Sequence, residues 1–82
     1  MEKAIKMQIR KELNGQQQLN VIRLKGSLIS NGYTEIIHIN DYDDEFHMNS
    51  FETSVENRGK VQDFINAFIS KAQLTDTVTI FK

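Results

Sequence analysis

An 82-residue chain that is 39% hydrophobic and 26% charged has the makeup of one small globular domain, neither disordered nor membrane-spanning. It contains no cysteine, which excludes disulfides, thiolate metal sites and cysteine nucleophiles and suits a reducing cytoplasm. The net charge of −1 conceals a partition: residues 1–33 carry a balance of +4, residues 34–57 a balance of −7 without a single Lys or Arg, and residues 58–82 a balance of +2.

The chain begins "MEKAIKMQIRKEL", with no long apolar run and no small-residue cleavage site, so a signal peptide is not expected. Ile5, Met7 and Ile9 alternate as in a strand, while Met1, Ile5, Ile9 and Leu13 make an i, i+4 stripe. Glu2 at the start, Arg10 and Lys11 near the end, and Asn14-Gly15 as a closing turn favour a helix over residues 2–13. In "LNVIRLKG" (19–26), Ile22 and Leu24 alternate with Arg23 and Lys25. That pattern, Gly26 and "SNG" at 30–32 favour strand and loop over a helix spanning 16–31.

The next stretch, "IIHINDYDDEFHMNSFE" (36–52), reads as a hairpin with residues 41–44 as its loop. That register places Ile39 opposite Phe46 and Ile37 opposite Met48 on the core face, and His38 opposite His47 on the other. Thr53 and Glu56 resemble a capping box for the following helix, in which Val61, Phe64, Ile65, Phe68, Ile69 and Ala72 keep a 3.6-residue period. Burying its two Phe and two Ile contributes roughly 1.5–3 kcal/mol each. "DTVTIFK" (76–82) reads as a short closing strand. The expected fold is therefore α+β: an N-terminal helix, a three-stranded antiparallel meander, a packed amphipathic helix and a short C-terminal strand, in one domain over 1–82. The alternative is a ferredoxin-like βαββαβ chain, with residues 3–13 a strand and 16–31 a helix.

Catalysis finds little support. There is no Gly-rich phosphate loop, GxSxG or HExxH, and so short a chain has little room for an enclosed substrate pocket. His38 and His47 with nearby aspartates could hold a divalent metal only if they met across the hairpin, on an open face with nothing to enclose the ion. "NDYDDE" lacks the glycine and the later glutamate of a calcium loop. Neither a metal nor a cofactor is expected. Nucleic-acid binding would be opposed by the −7 block, and no RNP-like aromatic pattern is present.

From Arg23 onward the order "IRLKG", "SNGYTEIIHIN", an acidic turn, "EFHMNSFE" and "VQDFINAF" resembles the small phage-encoded anti-CRISPR proteins that inhibit the type II CRISPR nuclease. The resemblance implies a helix, a three-stranded meander and a second helix. It also implies a non-catalytic DNA mimic in the host cytoplasm, bound to a nuclease–guide RNA complex. Carried over by position, Asn40, Asp41, Tyr42, Asp43, Asp44 and Glu45 would form the loop that faces Arg and Lys of the nuclease, with Tyr42 as an aromatic anchor. Where that family carries an acidic segment after the second helix, this chain has "SKAQLTDT", so either the hairpin with Glu52 and Glu56 does more of the work or the target surface differs. A second expectation, of another class, is a small structural or regulatory module that self-associates through a sheet edge, since no proline is present to blunt one. Either a monomer or a homodimer fits these readings, and no membrane contact is implied.

Overall fold

The computed structural model describes residues 2–81; Met1 and Lys82, at the ends of the expected first stripe and last strand, lie outside it. The chain runs β1 (Glu2–Arg10), α1 (Gly15–Ser30), β2 (His38–Asp41), β3 (Phe46–Ser54), α2 (Arg58–Lys71) and β4 (Val78–Phe81). The strands form one four-stranded antiparallel sheet in the order β2-β3-β1-β4. The α+β class holds, with a four-stranded sheet in place of the meander and in the βαββαβ order of the alternative. Two expected elements exchange identity: residues 2–10 are strand, and the segment containing 19–26 is helix.

The reason lies in local chemistry. Ile5, Met7 and Ile9 are all buried on one face of β1, so their period-2 alternation is the operative pattern. In any alternating strand, positions four apart also share a face, which is why the i+4 stripe misleads. Asn14 does not close a helix; it opens one. Its Oδ1 accepts from the Gln17 N–H at 2.8 Å, and Gln17 Oε1 accepts from the Asn14 N–H at 3.0 Å, a complete capping box. The expected box at Thr53 and Glu56 is absent, because Thr53 is inside β3 and α2 begins after Asn57 without a side-chain cap.

Both helices end alike. At the end of α1 the Gly32 N–H donates to the Ile29 carbonyl and the Tyr33 N–H to that of Leu28. Gly32 supplies the left-handed φ of +76° that this Schellman closure requires. At the end of α2 the same two bonds run from Gln73 to Ser70 and from Leu74 to Ile69, with Gln73 forced to φ +58°.

The core lies between one face of the sheet and the two helices. Val21, Leu24 and Leu28 of α1 and Val61, Ile65 and Ile69 of α2 are buried against Ile5, Met7, Ile9, Phe51 and Val78, with Leu74 closing the end. Phe64 and Phe68, expected to be buried in it, flank it half-buried, and Tyr33 meets Phe64 edge-on at 5.6 Å. Because α1 joins β1 to β2, it crosses the sheet on the β2 side; α2, joining β3 to β4, crosses on the β4 side. The face of the sheet away from the helices is open.

Candidate functional site: the β2–β3 hairpin

The hairpin forms, in a different register from that expected. Ile39 pairs with Asn49, Asn40 with Met48, and Asp41 with His47. Residues 42–45 form the turn: the N–H groups of Tyr42 and Asp43 both donate to the carbonyl of Phe46, the first residue of β3, at 3.1 and 3.3 Å. The offset from the expected pairing is an odd number of residues, so every side chain of β3 changes face. Phe46 and Met48 lie on the open face with Gln8 and Arg10 of β1, while Asn49, Phe51 and Thr53 face the helices. His38 and His47 consequently lie on opposite faces. His38 is paired with Ser50, and His47 sits beside Asp41, its Nδ1 3.5 Å from the Asp41 Oδ1 without a hydrogen bond. The two-histidine arrangement is not formed, and among the described residues no three metal-binding side chains converge.

The turn owes its shape to Asp43. Its Oδ1 accepts from the N–H of Glu45 at 2.8 Å and of Phe46 at 2.9 Å, satisfying two donors that the turn would otherwise leave to water. Asp41 is engaged by Lys11 Nζ at 3.1 Å, an exposed pair contributing about 0–1 kcal/mol. The Lys11 N–H also donates to the Glu45 carbonyl at 2.8 Å, tying the turn to the end of β1. Asp44 and Glu45 are exposed, with no salt bridge among the described residues.

The open face beside the turn is partly aromatic. The Tyr42 ring meets Phe81 edge-on at 5.9 Å, and the Arg10 guanidinium lies 5.3 Å above the Phe46 ring while its Nε donates to the Asp76 carbonyl at 3.0 Å. Tyr42 is thus anchored on one side and still half exposed. This surface was missed in the sequence because the expected register sent Phe46 and Met48 inward.

The eight residues singled out in the sequence do not form one patch. Asn40, Asp41, Tyr42, Asp43, Asp44 and Glu45 gather at one end of the sheet. Glu52 is seven residues beyond Glu45 on β3, roughly 23 Å away at the rise of an extended strand. Glu56 follows still further, in the turn before α2. Glu52 instead borders a shallow groove of about 670 Å³ with Lys6, His38 and Ser50, walled by residues 32–36. Comparison with models of known protein families, with curated proteins and with solved structures finds no match. Among the described residues no helix is long and apolar enough to cross a membrane.

Proposed function

We propose that the chain is a non-catalytic binding module that presents the acidic β2–β3 turn to a basic surface of a protein that handles nucleic acid. The observation that carries this reading is the double acceptance by Asp43, which holds Asp44 and Glu45 outward in fixed geometry. A rigid turn loses little conformational entropy on binding, and the segment 34–57 has no Lys or Arg to compete with a partner's cations. Exposed carboxylates so arranged can take the place of phosphates before Arg and Lys side chains. Tyr42 adds a half-exposed aromatic ring beside them.

The resemblance in the sequence makes the type II CRISPR nuclease the first target to test. The surface that supports the reading has shrunk to one end of the hairpin, because Glu52 and Glu56 lie elsewhere. The topology of helix and three-stranded meander implied by that resemblance is not the one the chain adopts. The test is a DNA-cleavage assay with guide-loaded type II nucleases, comparing the protein with the double variant Asp44→Lys/Glu45→Lys. Inhibition by the first and its loss in the second supports the reading; inhibition unchanged by the double reversal removes the turn from it, and no inhibition removes this target.

A second reading, the self-associating module, is favoured by a separate observation: β2 is an edge strand exposed along its whole length.

A further inference from the structure

α1 has two apolar faces. Val21, Leu24 and Leu28 point into the core, but Leu19, Ile22 and Ile29 are 42%, 65% and 47% exposed. At 100° per residue these three fall with Gly26 on a single stripe, about 150° round the helix from the buried one. Their spacing of i, i+3, i+7 and i+10 is that of a helix-pairing seam. Asn20, whose Nδ2 donates to the Ala72 carbonyl at 3.5 Å, marks the side of α1 that faces the end of α2. Ile22 and Ile29 therefore point away from α2, towards the β2 edge. There they join Ile36, 62% exposed, and Ile39, 54% exposed on the helix side of β2.

Gly26 sharpens the observation. It lies inside the helix without a positive φ, and a Cβ placed on it meets nothing within 4 Å. A mid-helix glycine destabilises relative to alanine, and nothing among the described residues crowds this position. A second helix laid along the stripe would require the glycine, since the missing side chain lets two backbones approach.

We propose that the β2 edge and the outward face of α1 together form a two-fold interface with a second copy of this chain. The geometry of a continued sheet selects the register. Side chains directly opposed across antiparallel strands share a face, so a two-fold axis perpendicular to the sheet must lie between the two β2 strands, level with one residue of each. Placed at Asn40, it would set Ile39 against the partner's Asp41. Placed at Ile39, it sets Ile39 against the partner's Ile39 beneath the two α1 stripes, and His38 against the partner's Asn40 on the open face.

Charge agrees with that placement. The only charged residues of α1 are Arg23 and Lys25, both in its C-terminal half, and the turn after β2 carries Asp43, Asp44 and Glu45. The two-fold axis inverts the second copy, bringing the acidic end of each β2 beside the basic half of the partner's α1. The edge backbone groups of β2, paired on only one side, find partners in the same step.

This inference rests on the self-association reading and turns the acidic loop towards a second copy; its test alters only the isoleucine stripe, so its failure leaves the nuclease assay of Asp44 and Glu45 untouched. Its test is sedimentation velocity from about 1 µM to about 1 mM, the range in which an interface of modest size associates. Ile39→Lys and Ile22→Lys are compared with the control Asn66→Lys on exposed α2. Circular dichroism establishes that each variant is folded; because both isoleucines are more than half exposed, a folded monomer is expected. The expected result is a monomer–dimer equilibrium weakened about tenfold or more by either isoleucine variant and unchanged by the control. Gly26→Ala should raise the thermal midpoint of the dilute monomer and still weaken the dimer. A monomer over the whole range overturns the proposal, whether or not it sediments with anionic phosphatidylserine vesicles. So does a dimer indifferent to both isoleucine variants.

Discussion

The two edges of the sheet are built from the same parts and finished differently. At the β4 edge, α2 presents Gln62, Asp63 and Asn66 beside Thr79 and Ile80, and Val78 is buried. At the β2 edge, α1 presents Leu19, Ile22 and Ile29, and none of the four residues of β2 is buried. Polar side chains over an edge discourage a further strand, whereas apolar ones reward it. A four-stranded sheet with a finished side and an unfinished side has a direction in which it can grow. The acidic turn lies on the unfinished side as well, so both surfaces assigned to binding belong to the β2 half of the molecule.

The largest effects are expected on α1 itself. Leu28→Ala, on the buried stripe, should cost about 2–5 kcal/mol in urea unfolding. Ile22→Ala, on the outward stripe, should stay within about 0.5 kcal/mol for the dilute monomer. Equal costs would mean that the outward stripe is part of the core.

The buried polar residues of β3 come next. The Oδ1 of Asn49 is buried without a hydrogen-bond partner, and Asn49 faces the helices between Met7 and Ile39. Asn49→Leu removes that unpaired acceptor while keeping the branched heavy-atom skeleton, and the midpoint of urea unfolding should show a gain of about 1–2 kcal/mol. A loss would mean that the amide is engaged in a way that stabilises the β2 side.

The helix ends give smaller effects. Asn14→Ala should cost about 1 kcal/mol through loss of the capping box. Gln73→Gly should return about 1 kcal/mol by relieving the left-handed φ that α1 already gives to a glycine. Calorimetric midpoints moving in opposite directions would bear out both.

The smallest effect is one of pH. Burial holds the Lys25 ammonium below its ordinary pKa of 10.5. Between the folded and unfolded values the unfolded chain binds more protons, so this residue makes stability rise as pH climbs through that window. Subtracting the stability profile of Lys25→Gln from that of the unaltered protein should leave a rising difference just below pH 10.5, and a flat or falling one would contradict it.

Legibility in the sequence followed the same asymmetry. α2, apolar on one side only, was placed within a few residues, although its cap was not. α1 resembles strand and loop in sequence because its second apolar stripe and Gly26 blur the 3.6-residue period. The feature that hid the helix is the feature that marks the interface. In β3 the visible alternation of Phe46 and Met48 pointed to the wrong face, since Asn49 and Thr53 take core positions that their chemistry does not announce. The turn was legible as an acidic cluster. The structural roles of Asp41 and Asp43, and the separation of Glu52 and Glu56 from the rest, required the register.

The difference between the two edges is tested most directly by following backbone amide shifts in NMR spectra as the protein is concentrated. Residues 37–41 and the outward positions 19, 22, 26 and 29 should shift together, while residues 78–81 and the outward side of α2 stay still. Concentration-dependent shifts centred on β4 and α2, or none on either edge, would contradict it.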